Sequence, residues 1–179
     1  MLFPKPYADA VAKLRVPSGF LLVAAFVWLA APTLDSLAVG VPISIAGLLL
    51  RAWAAGHLAK NSELANGGPY RFVRNPLYAG TLVVAAGVVV ATRRVELAIL
   101  FGATFLLVYL PVIQNEEQHL RKIFPSYAKY AAQVPALIPY KPPVRSDRRF
   151  RPDLYVRNQE YQALLGYIAG LLLLVWKAI

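Results

Sequence analysis

Two features of this chain are best equipped for chemistry. One is the adjacent pair Glu116-Glu117, the other the stretch Gly68-Pro-Tyr-Arg-Phe-Val-Arg-Asn-Pro-Leu-Tyr-Ala-Gly80 that precedes it. That stretch gathers two prolines, two tyrosines and two arginines between apolar runs. Irregular backbone beside a bilayer is tolerated where it packs in protein or lines a cavity. The stretch therefore predicts a ligand pocket. A carboxylate accepts hydrogen bonds from an ammonium or a hydroxyl, while the Arg74 guanidinium and loop N–H groups can meet an anionic ligand group. The faces of Tyr70 and Tyr78 suit a cation or a flat ring. Successive helical residues point about 100° apart, so Glu116 and Glu117 cannot both aim at one small target. One is expected to bind a ligand and the other to pair with Arg51 or Arg74.

Arg51 lies within an apolar run, where a charge is costly and faces a partner or a water-filled cavity. An ion pair to Glu116 or Glu117 that merely ties helices together is the plainer reading. His57 and Lys60 close the same run, and the plainer reading of His57 is a satisfied hydrogen bond at the helix end. The chain has no cysteine, and its two histidines, His57 and His119, stand far apart. Disulfide, thiolate and zinc-thiolate chemistry are thereby excluded, and no metal site is expected. No G-x-G-x-x-G and no Walker sequence is present, which removes the soluble nucleotide-binding folds.

The elements that must position these residues are membrane helices. The 179 residues are 58% hydrophobic and only 16% charged, with a mean hydropathy of +0.51. Soluble domains carry about a quarter charged residues. Five apolar spans can be drawn, at 18–34, 39–58, 77–92, 95–114 and 161–177, each near or slightly below the ~20 residues a crossing helix needs. The first residues lack the order of a cleaved leader, so the first run is read as retained. In this five-span scheme 15 Lys and Arg fall on one side and 3 on the other, Arg51 being intramembrane. The positive-inside bias then puts the N-terminus in the cytoplasm and the C-terminus on the opposite side. A plasma membrane and an endoplasmic reticulum membrane fit equally.

Residues 1–17 are expected along the cytoplasmic interface. Spans 3 and 4, joined only by Thr92-Arg93-Arg94-Val95, are expected to form an antiparallel hairpin. Beyond Glu116 the apolar residues Leu120, Ile123, Phe124, Tyr127, Tyr130 and Val134 recur at helical spacing. Pro125 should split that face into two short interfacial helices. A proline-rich basic linker follows, and its Lys and Arg at 141–157 would attract anionic lipid headgroups. Tethered between membrane segments and without an aromatic groove, it is not read as a nucleic-acid site. Gly166-Tyr-Ile-Ala-Gly170 in the last span permits close helix packing.

Taken together, Gly68-Pro-Tyr, Arg74-Asn-Pro-Leu-Tyr78-Ala-Gly80, Glu116-Glu-(x)2-Leu120, Phe124, Tyr127-(x)2-Tyr130-(x)3-Val134-Pro135 and Ile138-Pro139 resemble the isoprenylcysteine carboxyl methyltransferase family, to which the phospholipid methyltransferases are related. The likeness covers about residues 45–140. It implies a single all-α integral membrane domain over 1–179, with about five transmembrane helices, cytoplasmic interfacial helices and a non-Rossmann pocket for S-adenosylmethionine. The basic linker 139–158 and a membrane helix at 159–178 would complete it. The resemblance further implies cofactor contacts from Ser62, Glu63, Leu64 and Ala65, from Tyr70, from Asn75, Pro76, Leu77 and Tyr78, and from Glu116. Two positions depart from the family pattern. Asn75 stands where that family often has histidine, and keeps a hydrogen-bond donor without being titratable. Val112 stands where the prenylcysteine enzymes have an arginine for the substrate carboxylate.

The expected activity is methyl transfer from S-adenosylmethionine to a lipophilic acceptor that enters from the bilayer. An amine or alcohol acceptor would need a base, for which Glu117 and His57 are the candidates. Two other readings stand beside it. A sterol-reductase-like enzyme would bind NADPH with Arg71, Arg74 and Arg121 around its phosphates. A non-enzymatic membrane scaffold would keep the loop as structure alone.

Overall fold

The computed structural model describes residues 3–179, residues 15 and 16 by their backbone alone. Among the described residues the regular structure is entirely helical. Helix α1 runs Lys5–Leu29, α2 Leu34–Ala55, α3 Pro76–Thr92, α4 Val95–Thr104, α5 Leu110–Ile123, α6 Tyr127–Gln133, α7 Pro152–Arg157 and α8 Tyr161–Ala178. A 3-10 turn at Gly68–Arg71 precedes α3, and a π-helical turn at Phe105–Tyr109 joins α4 to α5 into one continuous rod.

Among the described residues three helical segments are long and apolar enough to cross a membrane: Leu34–Ala55, Val95–Ile123 and Tyr161–Ala178. In α1 the parts Lys5–Leu14 and Pro17–Leu29 meet at 51° and add a fourth if they count as one span. The proline inside α1 accounts for the bend, because its ring and missing N–H break the helical hydrogen-bond ladder. The expected fifth span does not reach that standard. Helix α3 has 17 residues, or about 25 Å of rise, against a hydrocarbon core of about 30 Å. Of the five expected spans, three or four thus have the length and hydropathy of a crossing helix among the described residues.

Helix α3 lies along α2, and glycines make this contact possible. A methyl group on Gly40 would stand 2.5 Å from the Gly87 carbonyl oxygen, and one on Gly47 would stand 2.6 Å from the Val84 nitrogen. Ser44 Oγ donates to the Val84 carbonyl at 3.2 Å and Ser36 Oγ to the Ala91 carbonyl at 2.8 Å, stitching one backbone to the other. Thr33 and Ser36 form a reciprocal capping box at the start of α2. At the far end of α3, Arg93 caps the helix in the left-handed conformation, φ 56°. The hairpin expected of α3 and α4 is therefore limited to its turn: α3 packs along α2, whereas α4, the π turn and α5 pack on α1.

Pro125 breaks the amphipathic segment as expected, between α5 and α6. Tyr127, Tyr130 and Val134 are buried there with Leu64, Leu120, Phe124 and Val144 around them. Beyond α6 the basic linker is irregular as far as α7 and returns over the loop between α2 and α3. Its Arg151 N–H donates to the Gly56 carbonyl at 2.8 Å. Phe150 lies where a Cβ on Gly56 would fall.

Candidate functional site

A cavity of about 870 Å³ opens where α2 ends and α3 begins. Its walls are the loop after α2, the start of α3, the π turn, α5, α6 and the junction between α7 and α8. Each wall has a local reason for its place. Asn158 Nδ2 donates to the carbonyls of Ala55 and Leu58 at 3.0 and 2.8 Å, satisfying acceptors that the end of α2 leaves open. Gly68 takes φ +52°, and a Cβ on it would stand 2.6 Å from the His57 imidazole. Only glycine suits that position both in conformation and in space.

The loop from residue 68 to 75 is clamped by the tail after α6. The N–H groups of Arg74 and Asn75 donate to the carbonyls of Pro135 and Ala136 at 2.8 and 3.0 Å. Tyr130 OH donates to the Tyr70 carbonyl at 2.7 Å. Arg74 binds Glu117 through two nitrogens, at 2.9 and 3.1 Å, and gives two more hydrogen bonds to the carbonyls of Ala131 and Val134. Four of the five guanidinium N–H groups are thereby spent on protein. Burial by itself would lower the Arg74 pKa, but hydrogen bonding to Glu117 and its charge outweigh that and raise it. Arg74, which also lines the cavity, thus spends most of its guanidinium on clamping the loop.

The same pair decides between the glutamates. Glu117 is taken by Arg74 and also accepts from Asn75 Nδ2 at 3.0 Å. Glu116, turned by one helical position, lines the cavity and accepts from Tyr78 OH at 2.9 Å. Asn75 also donates to Ala136, so it fastens the loop from behind.

Of the residues singled out from the sequence, Glu63, Leu64, Ala65, Tyr70, Arg74, Leu77, Tyr78 and Glu116 line the cavity. Ser62, Asn75, Pro76, Glu117 and His57 do not. Ser62 Oγ donates to the Ala59 carbonyl, and Pro76 is the buried first residue of α3. His57 is buried beneath the loop; its Nδ1–H donates to the Trp53 carbonyl at 2.9 Å, and its ring meets Phe150 edge-on. Neither base candidate, His57 or Glu117, faces the cavity. Val112 is buried and lines it, so the cavity wall is apolar at that position.

Arg51 finds a partner other than the one expected. Its Nε and Nη2 bind Glu160 at 2.6 and 3.0 Å, and its Nη1 binds Thr81 Oγ1 at 2.5 Å and the Leu77 carbonyl at 3.4 Å. Glu116 and Glu117 belong to α5 and serve Tyr78 and Arg74. Glu160, at the foot of α8, reaches Arg51 from the other side. Glu160, Asn158, Thr81, Tyr109 and His119 are among the polar lining residues that sequence reasoning did not select. A signal for Glu160 was present in the sequence: it is the acid beside the last apolar span.

The tyrosines set the character of the pocket. Tyr70 keeps its proton well above the ordinary phenol range, through burial first and then through the charges of Tyr130, Glu116 and Glu160. Tyr127 and Tyr130 are raised as well, again chiefly by burial. All three therefore stay neutral. Among the described residues, no three His, Asp or Glu side chains gather so as to hold a metal ion.

A helical membrane protein with a polar cavity at one end of its apolar bundle is the class these features define. The phospholipid methyltransferase family model matches residues 14–127, and the chain belongs to that family. It is 32% identical over 125 residues to the nickel-cobalt-cadmium resistance protein NccN of Alcaligenes xylosoxydans xylosoxydans, covering 69% of this chain and 57% of that one. It is 33% identical over 102 residues to the cobalt-zinc-cadmium resistance protein CzcN of Cupriavidus metallidurans, covering 56% of this chain and 46% of that one. The chain thus spans about half the length of these curated relatives. No solved structure matches it.

Proposed function

We propose that the protein transfers a methyl group from S-adenosylmethionine to a lipophilic acceptor in the membrane. The observation that carries this reading is the Tyr78–Glu116 hydrogen bond at the wall of the cavity. It sits among the other lining residues that the family resemblance marks as cofactor contacts. The volume lies within the roughly 300–1,000 Å³ of small-molecule sites. The lining chemistry fits the cofactor. Glu116 can accept from its ammonium or ribose hydroxyls, Lys60 and loop N–H groups can meet its carboxylate, and Tyr70 and Tyr78 offer faces to the sulfonium or the adenine.

When bound, S-adenosylmethionine supplies the electrophilic methyl group. The chain supplies position. Tyr78 and Glu116 fix one wall, and the Arg74–Glu117 clamp holds the loop rigid from behind. Leu77, Val112 and Leu120 give part of the lining an apolar surface on which a lipophilic acceptor can rest. Alignment of this kind is worth several orders of magnitude in rate. We further propose that the protein spans the membrane with the cavity at its cytoplasmic edge, and that the basic linker rests on anionic headgroups there. The names of the two relatives concern metal resistance; for this chain the carried-over reading is membrane methylation alone.

The NADPH reading draws no support from the geometry. Arg71 Nε donates to the Val144 carbonyl, Arg74 is held by Glu117, and Arg121 lies over the Tyr127 ring. The cations that would surround its phosphates are turned to other partners.

The test is calorimetry on detergent-purified protein with S-adenosylhomocysteine. Binding is expected, and Glu116→Ala and Tyr78→Ala are each expected to weaken it about tenfold or more. A folded wild type that binds nothing at millimolar ligand would sink the reading.

A further inference from the structure

The acceptor end of the cavity carries a charged group from outside the family-matched segment. Thr81 lies one helical turn beyond Tyr78 along α3, and Arg51 lies one turn before the end of α2. Both lie farther into their helices than the loop that bears most of the proposed cofactor contacts. There Arg51 binds Thr81 and Glu160, and all three line the cavity. The Glu160 side chain is only 9% exposed. Its delivery is elaborate for a simple tie. Asn158 is fastened to the end of α2, and Gln159 takes φ 55°, a left-handed conformation that a non-glycine residue adopts only when its surroundings hold it there. A carboxylate offers about four lone-pair directions, and Arg51 uses two. The Tyr70 phenol also senses the Glu160 charge, so that charge is felt within the pocket.

We propose that Glu160, aimed by Arg51, is a specificity-determining residue at the bilayer end of the cavity. It selects methyl acceptors whose reacting atom carries a hydrogen and a free lone pair, a neutral amine or a hydroxyl on a long apolar chain, over carboxylates. That lone pair bonds the transferred methyl as the methyl's bond to sulfur breaks, and the displaced proton passes to the Glu160 carboxylate and on to water. The inference rests on the methyl-transfer reading above. A carboxylate acceptor would have to compete with Glu160 for Arg51, four of whose N–H groups are already engaged by Glu160, Thr81 and the Leu77 carbonyl. An N–H or O–H donor meets an acceptor already oriented.

Dodecylamine and dodecanoate serve as the probes, with two readouts: thermal stabilisation of the purified protein without cofactor, and transfer of labelled methyl with it. The wild type is expected to be stabilised by the amine and not by the carboxylate, and to methylate the amine about tenfold faster or more. Glu160→Gln is expected to reduce that preference about tenfold, mainly through KM for the amine. S-adenosylhomocysteine affinity should stay within about twofold, and Glu160→Asp should restore part of the preference. Equal or better use of dodecanoate by the wild type would overturn the proposal, and so would an unchanged preference in Glu160→Gln. Parallel loss of S-adenosylhomocysteine binding in Glu160→Gln would also overturn it, by reducing the residue to a structural tie. Should Glu160→Gln fail to fold, the wild-type preference still decides. Should the wild type fail to bind S-adenosylhomocysteine, the methyl-transfer reading falls, while the cofactor-free stabilisation still reads the selectivity of the cavity.

Discussion

Where α2 meets α3, backbone touches backbone through Gly40, Gly47, Gly80 and Gly87, with no room for a methyl group on any of them. Where α8 meets the same bundle, the contact is lighter and concentrated toward its two ends. Glu160 holds the foot to Arg51. Lys177 holds the top to the carbonyls of Val27 and Ala30 at 2.8 and 2.9 Å, beside buried Leu174. Between them Leu165 and Leu172 are exposed. The first contact makes a stiff frame, since close-packed backbones cannot shift without clashing. The second makes a wall that depends on a few polar ties. The proposed cofactor contacts stand largely on the frame and the loop clamped to it, whereas Glu160 stands on the wall. This division suits a site that grips one ligand tightly and admits another from the bilayer.

The comparison can be broken most directly at the frame. Gly47→Leu forces a side chain against the Val84 backbone, and is expected to cost about 3 kcal/mol or more and to abolish a monodisperse, folded protein in size-exclusion chromatography. Next comes the clamp. Arg74→Ala strands Glu117 in a largely buried setting and should cost roughly 2–4 kcal/mol, read as a lower Tm together with weakened S-adenosylhomocysteine binding. Tyr78→Phe removes one hydrogen bond to Glu116 and should lower ligand affinity about fivefold, roughly 1 kcal/mol, with Tm nearly unchanged.

A pH series sharpens the frame side further. Tyr70, Tyr127 and Tyr130 keep their protons above the ordinary phenol range in the fold, while in the unfolded chain they ionise near pH ~10. Above that pH the unfolded state binds fewer protons than the folded one, so stability falls as pH rises. Tm is expected to be flat from about pH 7 to 9 and to drop above about pH 10, less steeply in Tyr130→Phe. The smallest effect belongs to the wall. A Cβ at Gly166 meets nothing, so Gly166→Leu should change Tm by no more than about 0.5 kcal/mol equivalent. A large loss there would mean that α8 is packed more tightly than the comparison holds.

Much of the site was legible before any coordinates. The stretch from Gly68 to Gly80, Glu116 and the Tyr127–Val134 face are local patterns, and local patterns follow from turn chemistry and helical period. Pro125 broke its helix because proline must. The membrane count was less legible, because apolar length alone cannot tell a crossing helix from a 17-residue helix packed along its neighbour. The direction in which His57 and Glu117 face, away from the cavity, was hidden for a related reason. A histidine or glutamate beside a functional loop can face the ligand or fasten the loop from behind, and which it does is set by side-chain direction.

The sequence by itself determined the helical membrane class, the family, and the loop and glutamate that build the pocket, because these rest on composition and on residues near one another in the chain. Only the tertiary structure decided which charges pair. Arg51 with Glu160 and Arg74 with Glu117 are pairings across distant segments, fixed by how α8 and α5 come to rest on α2 and α3. A buried charge takes the partner that packing brings within reach, and that partner need not be near in sequence.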